Sequence, residues 1–153
     1  MLKKVISGGQ TGADRAGLIA AKACGIPTGG YINKSCKTEL GFEPWLKDEF
    51  NLFEINSFEY PVRTLMNVQS SDATWTFYKD KLERGSLLTK NYCLRLDKPH
   101  LTINTSEDVG DLSAWLNRTD INIAVLNIAG NRESVAPGMQ LFVKELLIKV
   151  FKK

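Results

Sequence analysis

The run INIAVLNIAG, Ile121–Gly130, is apolar at nearly every position. A strand with one face in water alternates in polarity; a strand this uniform is covered on both faces, like the centre of a parallel sheet. Parallel neighbours need crossover connections, so such a strand brings helices with it. The rest of the chain supplies them. KVIS (4–7) reads as a strand, and GADRAGLIAAKACG as a helix that stops at Gly25 and Pro27. A short strand is expected around TGGYI (28–32) and a helix over YPVRTLMNVQSS, with Pro61 in its first turn. DATWTFY (72–78) reads as a strand, GSLLTKNYCLRLD as a helix and PHLTIN (99–104) as a strand. SEDVGDLSAWLNRT reads as a helix N-capped by Ser106, although Gly110 weakens it, and APGMQLFVKELLIKVFKK is a closing amphipathic helix. Residues 33–57 read as an irregular loop, functional or ordering rather than a linker, since a loop this long needs a reason.

The expected fold is α/β: one Rossmann-like domain over residues 1–153, a three-layer sandwich around a mostly parallel sheet of about five strands. Ligands bind such sheets beyond the carboxyl ends of the strands, so the loops after the first, third and fifth strands are the ones to read for chemistry.

Composition narrows the function classes. With 43% hydrophobic and 24% charged residues the chain is globular rather than disordered or membrane-embedded. A net charge of +3, spread along the chain, lacks the dense basic stripe that nucleic acid requires. Cys24, Cys36 and Cys93 are odd in number and without metal-ligand spacing, as expected of reduced thiols. No apolar run suits export or a membrane span, so a cytoplasmic location is expected.

Three loops carry candidate chemistry. In SGGQTGADR, Gly8, Gly9 and Gly12 allow close backbone approach to a ligand, and the helix that follows offers unpaired N–H groups. Arg15 opposes the dipole in that first turn, which is easier to explain if it meets an anion. The stretch, with Gln10, Thr11 and Asp14, matches neither the dinucleotide fingerprint nor the P-loop, and a glycine turn without a ligand is the alternative. In ERGSLLTK, Gly85 and Ser86 open a helix with Thr89 one turn on; Ser86 is either an N-cap or part of a second cradle. NIAGNRESVAPG gathers Asn127, Gly130, Asn131, Arg132, Glu133 and Ser134, either as a ligand loop or with Arg132 and Glu133 as a surface pair. Tyr60, Arg63 and Asn67 share one helix face and either line the same pocket or brace the sheet edge. His100, the one histidine, reads as structural, and Trp45, Trp75 and Trp115 as packing residues.

In order along the chain, ISGGQTGADRAGL, GGY..K....E.G, Y..RT..NV..SDAT, GS..T, KP, LNIAGNRES and PG closely resemble the molybdenum-cofactor carrier proteins, circularly permuted relatives of the YpsA group. The resemblance runs from Val5 to about Leu147 and implies a homo-oligomer of the superfamily that includes the lysine-decarboxylase-like phosphoribohydrolases. Those enzymes carry a helical arginine and then PGGxGTxxE, whose glutamate is catalytic. Here Arg63 takes the arginine's place, Gly85 and Ser86 resemble the Gly-Thr pair, and Thr89 stands where the glutamate belongs. A threonine cannot serve as a carboxylate base. The carriers' basic loop PKGRRAEDG reads NKSCKTELG here, keeping Lys34, Lys37 and Glu39 but placing Cys36 at an arginine position.

The resulting expectation is a carrier of molybdenum cofactor or a similar phosphorylated heteroaromatic anion, with no catalytic residue and no protein-bound metal. Backbone N–H groups at Gly9–Gly12 and Gly85–Ser86 would receive oxyanions and Arg15, Arg63 and Arg132 would balance charge. Asn127 and Glu133 would bond the heterocycle or orient the arginines, and Lys34 and Ser134 would complete the set. The alternative is an N-glycosidic hydrolase using Glu133 or Asp14.

Overall fold

The computed structural model describes residues 1–152. Lys4–Ile6 (β1) leads through the glycine turn into Ala13–Ala23 (α1), and Thr28–Gly29 (β2) returns parallel to β1. The chain then leaves the main sheet as Tyr31–Ile32 (β3), a 3-10 turn at Lys34–Cys36, a hairpin of Lys37–Thr38 (β4) and Gly41–Phe42 (β5), Trp45–Phe50 (α2) and Phe53–Glu54 (β6). It rejoins with Tyr60–Gln69 (α3), Ala73–Tyr78 (β7), Arg84–Arg95 (α4) and His100–Asn104 (β8). Leu112–Leu116 (α5), Val125–Gly130 (β9) and Met139–Phe151 (α6) complete it.

The five-stranded parallel sheet has the order β2-β1-β9-β7-β8. Its most apolar strand, β9, comes last in the chain and lies at the centre. The β1–α1–β2 and β7–α4–β8 crossovers run in opposite directions from it, and right-handed connection therefore puts α1 and α4 on opposite faces. On one face α1 and α6 pack together over Ala73, Trp75, Phe77 and Ile128, with Trp115 of α5 edge-on to Trp75 at 5.7 Å. The other face lies under α3 and α4 and is far more polar, carrying Thr74, Thr76 and Asn127, all buried.

Four expectations need correction. The strand at 28–32 is two strands, β2 in the main sheet and β3 paired with β6. Gly30 breaks it: at φ 123° it adopts a backbone that side chains disfavour, and a Cβ there would lie 2.2 Å from the Ser7 carbonyl oxygen. Residues 33–57 are not irregular; Ile32, Cys36, Leu46, Phe50 and Leu52 form a second small core against Leu18 of α1. The helix expected from Ser106 starts at Leu112, because Asp111 supplies the cap by accepting from the Ala114 N–H at 2.9 Å. Finally, β9 begins at Val125 rather than Ile121, where the Asp72 carboxylate takes the N–H groups of Ala124 and Val125 at 3.0 and 2.8 Å.

Candidate functional site

The loops after β1, β7 and β9 converge on a cavity of about 680 Å³ between α3 and α4. Of the residues singled out in the sequence, Gly8, Gln10, Asp14, Tyr60, Arg63, Asn67, Gly85, Ser86, Thr89, Asn127, Gly130 and Arg132 line it. Asn67 also braces the sheet, gripping the Tyr31 N–H and carbonyl at 2.8 and 3.1 Å. Gly9, Thr11, Gly12, Arg15, Lys34, Glu133 and Ser134 lie outside the cavity.

The turn after β1 already holds an anion, and that anion is the protein's own. The backbone N–H groups of Gly8 and Gln10 favour the charged form of the buried Asp14 carboxylate, with Arg63 Nη1 at 3.5 Å. The remaining donors are used as well: Gly9 N–H bonds Ser7 Oγ, Thr11 N–H bonds Gln10 Oε1, and Gly12 N–H bonds Gln140 Oε1. The expected cradle of N–H groups at Gly9–Gly12 is therefore satisfied from within. Burial pushes the Asp14 carboxyl up to about 6, against the opposing pull of Arg63, the Gln10 and Gly8 N–H groups and Arg15. Arg63 Nη1 donates to the Gly8 carbonyl at 2.9 Å, its guanidinium lies 5.0 Å from the Tyr60 ring centre, and its buried Nε has no partner.

Arg15 is likewise occupied. It pairs with Glu43 at 2.6 Å, donates to the Gly9 carbonyl at 3.1 Å and lies 5.6 Å from the Trp45 ring centre. The anion that its position called for is thus Glu43, brought over α1 by the excursion. Burial works to raise the Glu43 pKa, but hydrogen bonds from Arg15 and Thr38 outweigh it and hold the carboxylate below its ordinary range. Glu39 at the hairpin tip accepts from the Thr11 hydroxyl and from the Ser134 hydroxyl and N–H, with Arg132 Nε at 3.9 Å. Thr11 and Ser134 therefore fasten the hairpin. Lys34 lies over Phe58, its Nζ 5.5 Å from the ring centre.

Glu133 turns to the N-terminus of α6, where its carboxylate accepts from the N–H groups of Gly138 and Gln140 at 2.8 and 2.9 Å. It thereby caps that helix. Glu133→Ala is expected to lower stability by about 1–2 kcal/mol, read as a fall in urea midpoint at unchanged slope. An unchanged midpoint would remove the capping assignment.

The start of α4 is the opposite case to the start of α1. Glu83, not Ser86, occupies the N-cap position, and it makes no side-chain cap bond. Ser86 stands in the first turn with its hydroxyl buried and unpartnered, beside Gly85 at the cavity wall. Thr89 turns its hydroxyl back to the Gly85 carbonyl at 3.1 Å. Sequence reasoning passed over Glu43, Gln140 and the roles of Glu39 and Asn131. Their partners lie far along the chain, and only Glu39 and Asn131 left a trace, in the motifs.

Among the described residues no group of His, Cys, Asp and Glu is arranged to hold a metal ion, and no helix is long and apolar enough to cross a membrane. The model of the circularly permutated YpsA SLOG family matches residues 5–151. A crystal structure of a protein from Syntrophus aciditrophicus SB, named "Putative molybdenum carrier protein", aligns at TM-score 0.88 with 35% identity, covering 99% of this chain and 96% of that one. No functionally curated protein matches the chain.

Proposed function

The chain belongs to the circularly permuted YpsA SLOG family, and from that premise we propose that it binds and carries a phosphorylated, nucleotide-like heteroaromatic ligand, molybdenum cofactor or a close analogue. The observation that carries the reading is the buried, unpartnered Ser86 hydroxyl in the first turn of α4. A buried hydroxyl without a partner is unfavourable, and helix N-terminal N–H groups beside it attract an oxyanion. Arg63 supports the same placement, since its Nε also lacks a partner at the cavity wall. Pro61, Leu88 and Ala129 give the space beyond an apolar lining suited to a ring.

What surrounds this cradle supports carriage rather than turnover. The position that a hydrolase fills with glutamate holds Thr89, whose hydroxyl is bonded to its own helix. Glu133 caps α6, and Asp14 is enclosed by the turn after β1. The same reading makes the protein a cytoplasmic homo-oligomer with neither nucleic acid nor a membrane as its partner.

Thermal-shift titration with molybdenum cofactor and with nucleoside 5′-monophosphates tests the proposal, with native mass spectrometry to identify what is bound. Binding without chemical change is expected, and Ser86→Ala should weaken it about tenfold, the effect of one lost hydrogen bond to a charged group. Release of free base from a bound monophosphate would replace the carrier with a hydrolase.

A further inference from the structure

The cavity floor contains an amide where a central strand ordinarily places an aliphatic residue. Asn127 pairs with Ile6 of β1 and Thr74 of β7, and its neighbour Ile128 packs on Gly17 of α1 across the sheet. Asn127 thus faces α4 and the cavity, 3% exposed. An asparagine side chain has two donors and an acceptor, and burying them unpaired is costly. Here Nδ2 donates to Thr74 Oγ1 at 3.3 Å, and among the described residues nothing bonds Oδ1. That bond holds the amide with Nδ2 toward β7 and leaves Oδ1 toward the cavity.

Resting on the carrier reading above, we propose that Asn127 selects the ligand's ring: its Oδ1 accepts from a ring N–H, as a lactam or amino-substituted heterocycle presents, and Thr74 is the positioning residue that fixes this polarity. A ring whose edge offers only an acceptor nitrogen meets the Asn127 oxygen lone pair to lone pair. The amide then stays unsatisfied, and discrimination of this kind exceeds what ring shape alone provides.

The test compares three probes by calorimetric titration. Guanosine 5′-monophosphate and purine riboside 5′-monophosphate share phosphate and ribose, but only the first carries N–H donors on its six-membered ring; ribose 5-phosphate has no ring. The native protein should prefer guanosine 5′-monophosphate to purine riboside 5′-monophosphate by about 10- to 100-fold, the range for one unsatisfied buried group. In Asn127→Leu the ratio should fall to about one, and in Thr74→Val, where the amide is free to turn, it should fall severalfold. A ratio near one in the native protein, or a ratio that survives both substitutions, overturns the inference while ribose 5-phosphate binding leaves the phosphate cradle standing. If none of the three probes binds the native protein while molybdenum cofactor does in the thermal-shift titration, the carrier reading stands and this inference is overturned. If molybdenum cofactor fails to bind as well, the carrier reading falls with it.

Discussion

Gly12→Ala is expected to lower stability by about 4 kcal/mol, an effect beyond that of ordinary substitutions. Gly12 precedes α1 with φ 82° and ψ −133°, a region that residues with a Cβ avoid. A Cβ there would also fall 2.2 Å from the Asn131 carbonyl oxygen and 2.8 Å from Arg132 backbone atoms. That contact cannot relax cheaply, because the same carbonyl accepts the Ala13 N–H at 3.0 Å and Asn131 is itself held to β7 through the Phe77 carbonyl. The substitution therefore separates the β1–α1 turn from the loop after β9, the two segments that frame one side of the cavity. Gly85→Ala is the control. It lies in the first turn of α4 with nothing within 4 Å of the added carbon, and should change stability by less than about 1 kcal/mol. Urea unfolding of both variants decides the matter. Equal midpoints for Gly12→Ala and the native protein would mean that the turn yields, and that the glycine serves an approaching ligand after all.

How far the fold was legible follows from how local each signal is. Uniform burial of β9, β-branched runs and glycine stops are properties of neighbouring residues, and the parallel α/β sandwich was readable from them. The errors fall where a partner distant in sequence sets the local outcome. The break at Gly30 is imposed by Ser7, the start of β9 by Asp72, and the organisation of residues 33–57 by the face of α1 that Leu18 presents. The candidate site divides in the same way. Glycines and an arginine after a strand do mark an anion-holding turn, yet spacing cannot tell whether the anion is a ligand or Asp14, which lies in the same nine residues. Ser86 carried the opposite ambiguity. Only the placement of Glu83 one turn earlier shows that the serine hydroxyl is not needed as a cap.

Asp14 makes the second large effect, and its sign is opposite to that of most carboxylates. An aspartate in the unfolded chain titrates near 3.8, whereas burial holds the native group up at about 6. The native state therefore binds the proton more tightly. Its contribution to stability is complete below about pH 3.8 and is lost as pH rises through about 6. Roughly two pKa units correspond to about 3 kcal/mol. Glu39 and Glu43, held below their ordinary range, act in the other direction and at lower pH, since their contributions are lost on acidification. Because they do so equally with or without Asp14, comparison with Asp14→Asn isolates the aspartate. The variant leaves Arg63 without its carboxylate at every pH, which offsets its whole curve but does not change the slope. Subtracting the stability of Asp14→Asn from that of the native protein at each pH should give a difference that falls by about 2.5 kcal/mol between pH 4 and pH 7. A flat difference would mean that Asp14 stays ionised throughout, with the Gly8 and Gln10 N–H groups and Arg63 fully compensating its burial. The turn after β1 would then carry a permanent negative charge at the cavity wall, and Arg63 would be committed to it rather than to an arriving phosphate.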